Sequence, residues 1–113
     1  MSTGKNQQQN NILAHIENLA GTVRYHSAAI DSKTLLDKET GTITLFAFSE
    51  GQQLSENKSP FDVMVSIVDG EAEITVSGKS FTLKAGEMIT VPAKNTYSLK
   101  AVKRFKVLMV MVK

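Results

Sequence analysis

The chain has no cysteine, which removes disulfide scaffolds, thiol nucleophiles, iron–sulfur clusters and cysteine zinc sites together. Long apolar runs are missing too. The longest, Val107 to Val112, has six residues, against the roughly 18 or more that a membrane helix needs. Nor is there an excess of one charge: thirteen Lys plus Arg against eleven Asp plus Glu leave a net charge of +2. That is far below the basic surplus with which nucleic-acid-binding proteins neutralise phosphates. Histidine is scarce, with His15 and His26 only. The polar N-terminus, MSTGKNQQQNN, is followed by an apolar stretch that His15 and Glu17 interrupt, so no signal-peptide core is expected and a cytoplasmic location is the default.

What is present fits one soluble domain. A chain of 113 residues, 42% hydrophobic and 21% charged, carries one core and is too short for two ordinary domains. Residues 1–10 are rich in Asn and Gln without apolar periodicity, which predicts a disordered polar tail, with a single domain over residues 11–113. From Asn11 onward, Ile12, Leu13, Ile16, Leu19 and Ala20 fall on one helical stripe, with Asn10 or Asn11 as cap and Gly21 past the end. A short N-terminal helix is expected.

After Gly21 the pattern changes to short segments rich in Val, Ile, Thr and Phe, each ended by Gly, Pro, Asn or Asp. Candidate strands are Val23 to His26, Ser32 to Leu36, Gly41 to Phe48, Phe61 to Val68, Glu71 to Val76, Ser80 to Lys84, Glu87 to Val91, Thr96 to Ala101 and Phe105 to Val112. Asp69-Gly70 and Ser77-Gly78 have the spacing and chemistry of two-residue hairpin turns. Many short strands and almost no helix predict an all-β sandwich or barrel. The last strand does not alternate polar with apolar, so both its faces should be covered. A homodimer contact on its outer face would account for that.

From Leu36 to Lys113 the chain resembles the cupin superfamily. The spacing of the first cupin motif aligns on Gly51 and Gly70, and that of the second on Gly86 and Pro92 in AGEMITVPAKNTYSLKA. The phrases GTITLFAF, GEAEIT, LKAGEMI and KRFKVLMVMVK look like those of small stand-alone bacterial cupins of unassigned function. The resemblance implies a double-stranded β-helix, or jelly-roll, barrel. It also implies where a metal would sit: the family's two first-motif histidines fall on Asn57 and Ser59, its glutamate on Val63 and its last histidine on Tyr97. The inner glycine of the second motif is Lys94. Iron, manganese, zinc and nickel are held in such barrels by imidazole and carboxylate, and Asn, Ser and Val do not replace those donors. No metal, cofactor or catalytic residue is therefore assigned.

The candidate ligand pocket consists of Asn57, Ser59, Val63, Val65, Tyr97 and Met109. Asn57, Ser59 and Tyr97 supply neutral donors and acceptors at the rim, and the alternating Val63, Val65 and Ile67 an apolar floor. Glu56 and Asp62 lie out of phase with them and should face away. His15 reads as a surface imidazole and His26 as an edge-strand residue facing solvent. Lys94, Lys100, Lys103, Arg104 and Lys106 read as a solvated basic face, and Met109 with Met111 as core filling or a flexible ligand contact. Three functional readings stay open: a metal-free small-molecule-binding barrel; an enzyme acting on a small metabolite, either metal-dependent through unconventional ligands or metal-free, in which an epimerase-like pair would need His26 brought beside Tyr97 by strand exchange; and a filled barrel that acts through its surface.

Overall fold

The computed structural model describes residues 14–113. The expected polar tail, and Ile12 and Leu13 of the expected helix, lie outside the described residues. Within them, residues 14–18 form no regular structure, and a single 3-10 turn, Ala20–Thr22, stands where the helix was expected to end. The described part of the stripe is poorly covered: Ile16 is 100% and Leu19 42% exposed, and a helix this short is not stable on propensity alone. Asn18 competes locally as well. Its Oδ1 accepts from Gly21 N at 2.7 Å and its carbonyl from the Thr22 hydroxyl at 2.8 Å, bonds that favour a turn over a helix.

Eight strands follow: β1 (Asp31–Lys38), β2 (Gly41–Phe48), β3 (Gln53–Lys58), β4 (Asp62–Val76), β5 (Lys79–Lys84), β6 (Met88–Val91), β7 (Thr96–Lys100) and β8 (Phe105–Val112). All pairings are antiparallel. One face of the barrel runs β1-β2-β8-β4-β6 and the other β5-β4-β7-β3. β4 belongs to both. Its first half pairs with β8 and β6, its second with β5 and β7.

That double membership overturns one expected turn. Asp69-Gly70 is not a hairpin: the chain runs straight through it inside β4, with a bulge between Ile67 and Asp69. The extra residue shifts the two-residue alternation. Val63, Val65 and Ile67 point inward before it, Ala72 and Ile74 after it, and all five are buried. Gly70 has φ +79°, and a Cβ there would lie 2.2 Å from the Arg104 carbonyl oxygen. The two sheet faces meet at this corner. Ser77-Gly78 is the expected tight turn, with φ of +50° and +83°, joining β4 to β5.

Val23 to His26 is not a strand. Side-chain bonds replace the ladder: Asp31 Oδ2 accepts from Arg24 N at 2.8 Å, and the Tyr25 hydroxyl donates to Asp69 Oδ2 at 2.5 Å. This segment lies on the outside of the first face, where Val23, Leu45 and Ala47 form a small second core with Tyr25, Leu35, Val68 and Leu108. Two residues of the supposed solvated basic face hold it down. Arg104 and Lys106 sit 4.6 and 5.0 Å from the Tyr25 ring centroid, and the Lys106 ammonium donates to the Ala20 carbonyl.

Candidate functional site

The barrel interior is built in layers fixed by register. Thr42, Met111 and Val63 are neighbours across β2, β8 and β4; Thr44, Met109 and Val65 come next, then Phe46, Val107 and Ile67, and last Phe48 and Phe105. The far end is closed. The Phe48 and Phe105 rings stack there with centroids 4.8 Å apart, and Ile67, Ile74, Leu99 and Val107 are fully buried around them. The near end is open. A cavity of about 200 Å³ lies between Thr42, Thr44, Phe46, Leu54 and Asn57 on one side and Val63, Tyr97, Met109 and Met111 on the other.

Four of the six expected pocket residues border this cavity: Asn57, Val63, Tyr97 and Met109. Ser59 and Val65 do not. β3 ends at Lys58, so the alternation that would have turned Ser59 inward stops one residue too early. Instead the Ser59 hydroxyl accepts from Phe61 N at 3.0 Å and its carbonyl from Lys94 N at 2.7 Å, both spent on connections between strands. Val65 is completely buried in the second layer. Thr42, Thr44, Leu54 and Phe46 went unrecognised in the sequence, although Thr42, Thr44 and Phe46 alternate in GTITLFAF with the phase of an inward face.

Tyr97 and Asn57 are directly opposite each other on β7 and β3. Tyr97 is 2% exposed, while Asn57 sits at the exposed mouth. The Asn57 amide donates to the Tyr97 hydroxyl at 3.5 Å, the long limit for such a bond. That bond uses the phenol oxygen as acceptor. The phenol proton has no acceptor among the described residues. Burial pushes the Tyr97 hydroxyl above its ordinary titration range, against a smaller downward pull from Asn57, so it is a neutral donor at physiological pH.

The residues at the family's metal positions do not fit a metal ion. Val63 has no lone pair, the Ser59 hydroxyl is turned into a chain connection, Asn57 offers a neutral amide, and burial keeps Tyr97 protonated. Among the described residues no three of His, Cys, Asp and Glu cluster as a metal site would need. Glu56 and Asp62 are exposed, and Asp62 accepts from Ala93 N at 2.8 Å. Lys94 keeps the backbone of the glycine it replaces, with φ +71°.

His26 is exposed, and its carbonyl accepts from Ser49 Oγ and Gln52 Nε2 at the closed end of the barrel. Gln52 precedes β3, and Tyr97 pairs with Asn57 five residues further on. At strand rise this places His26 roughly 15 Å from Tyr97 within one chain, too far for an acid–base pair.

No family model matches the chain, and a search of curated proteins returns no match. Solved structures do resemble it. A conserved protein of unknown function from Streptococcus pyogenes is 35% identical, with a TM-score of 0.85 and 92% of each chain covered. A "cupin 2 conserved barrel domain protein" from Leptotrichia buccalis is 37% identical with a TM-score of 0.83, over 86% of this chain and 47% of that one. A cupin superfamily protein from Desulfitobacterium hafniense is 26% identical with a TM-score of 0.84, over 91% and 95% of the two chains.

Proposed function

The chain belongs to the cupin superfamily, and from that premise we propose that it uses the barrel to bind a small neutral metabolite without a metal ion. One observation carries the reading. A buried phenol, Tyr97, faces a cavity, its proton without an acceptor among the described residues, and every other polar group of the lining is uncharged: Thr42, Thr44 and Asn57. The remaining wall is Phe46, Leu54, Val63, Met109 and Met111. About 200 Å³ gives room for roughly ten non-hydrogen atoms. The fitting ligand is therefore an apolar ring or short chain bearing one carbonyl or ether oxygen for Tyr97. A charged ligand would lose its hydration with no counter-charge in return.

Cyclohexanone and methylcyclohexane, titrated by heteronuclear NMR, test this directly. The ketone is expected to bind about three- to tenfold more tightly, the range of one neutral hydrogen bond, and Tyr97→Phe to remove the difference. Tyr97→Trp, which fills the space, should block both. Elemental analysis and native mass spectrometry of untagged protein should find no stoichiometric metal. Stoichiometric iron, zinc or nickel, or binding that is indifferent to Tyr97, would refute the reading.

A further inference from the structure

We propose that the ligand of the barrel is a small neutral hydroxyketone, its carbonyl held by Tyr97 and its hydroxyl by Thr42 and Thr44, an assignment that rests on the barrel being a binding site. The inner wall of the first face changes from apolar to polar along each layer. Strand register continues the layer of Val63, Met111 and Thr42 to Asp37 on β1, and that of Val65, Met109 and Thr44 to Thr34. Residues directly opposite each other in an antiparallel pair share a face. A bulge keeps both β1 residues on the inner side. Leu35 and Leu36 both point outward there, Leu35 into the small second core, and Asp37 returns to the phase of Thr34. From β4 to β1 the inner surface thus runs from valine through methionine to threonine, and ends in a hydroxyl and a carboxylate.

The polar end of this wall is free to bind. Among the described residues neither the Thr42 nor the Thr44 hydroxyl makes a hydrogen bond, and Asp37 has no ion pair. Both threonines are half-buried and border the cavity, while Thr34 and Asp37 are exposed beside it on the edge strand. A ligand that enters takes water from the two hydroxyls, which costs free energy unless the ligand replaces the lost bonds. Tyr97 is on the second face, which packs across from the first at roughly 10 Å, so the phenol and the threonines approach a ligand from opposite sides. The ligand is therefore polar at two ends. A neutral phenol with a free proton donates, which asks for a carbonyl at one end. Threonine both donates and accepts and a carboxylate only accepts, which asks for a proton donor at the other. An exposed Asp37 is screened by solvent and makes a poor counter-charge for an ammonium, and a carboxylate arm would meet no cation in the lining. A hydroxyl is the donor that fits.

Three cyclohexanones that share the ketone and differ at the opposite ring carbon, titrated by heteronuclear NMR, read this out: 4-methylcyclohexanone, 4-(hydroxymethyl)cyclohexanone and 4-oxocyclohexanecarboxylate. The hydroxymethyl compound is expected to bind about three- to tenfold more tightly than the methyl compound, and the carboxylate more weakly than either. Thr42→Val and Thr44→Val keep the side-chain shape and suit a strand. Together they should erase the difference between the hydroxymethyl and methyl ketones; should the double variant fail to fold, one of the single variants should at least halve it. Tyr97→Phe should weaken both ketones. Equal binding of the two ketones, or a preference for the hydroxymethyl compound that survives the loss of both threonine hydroxyls, overturns the hydroxyketone assignment, and binding that still depends on Tyr97 would then leave the barrel standing as a binding site. Failure of every ketone to bind overturns both.

Discussion

Tyr25 and Tyr97 are the two tyrosines of the chain, and the fold holds both as neutral phenols. Burial is the larger cause in each, reinforced at Tyr25 by the hydrogen bond to Asp69. Each folded-state value lies above the ordinary 10.0. Above that pH the native chain therefore binds more protons than the unfolded one, so their contribution to stability is complete below pH 10 and is lost as pH rises further. An alkaline titration followed by phenolate absorbance should show no step near pH 10 in the folded protein, and one step there in denaturant. A native step near pH 10 would mean that at least one phenol is not held as described. At this scale the site was half legible. Motif spacing led to Asn57, Val63 and Tyr97 because those spacings encode inward positions on β3, β4 and β7. The threonines of β2 lie outside both motifs and show only as an alternation.

Two glycines with nearly the same φ separate backbone strain from steric conflict among the elements. At Gly78, in the β4–β5 turn, an added Cβ meets nothing within 4 Å, whereas at Gly70, within β4, it meets the Arg104 carbonyl. Gly78→Ala should cost about 1 kcal/mol from conformation alone, and Gly70→Ala at least about 3 kcal/mol, because backbone on both sides must move. Chemical denaturation of the two variants checks the order. Equal losses would show that the corner is pliable. The same pair explains what the sequence revealed. Both dipeptides have turn chemistry, but a glycine required for close approach and a glycine required for a turn look alike in one chain. β2 and β8 were legible to the residue, since Gly41 and Val112 bound apolar segments cleanly. β3 was missed because QLSENK is polar and largely exposed, so nothing in its pattern announces a strand.

For the molecule as a whole, the described residues before β1 form a strap and not an α-helix. Its buried anchor is Val23, and Val23→Ala should lower stability by about 2 kcal/mol through lost burial and the space left behind. Amide exchange should quicken over residues 19–30 before it does in β4. Uniform quickening would mean that the strap and barrel open as one unit. The sequence pointed to a helix here because its apolar spacing is helical, yet the surface that such a helix would need is already taken by Val23 and Tyr25.

β8 lies between β2 and β4 and shares its whole length with β2, yet it is synthesised after every strand with which it pairs. While the chain grows, β2 and β4 leave the ribosome with facing edges bare and with Phe48 lacking its stacking partner. Closure of the barrel thus waits for the last of these strands, and until Phe105–Val112 arrives the nascent chain presents two unpaired apolar edges to any neighbouring chain, the interval in which a chaperone would matter most.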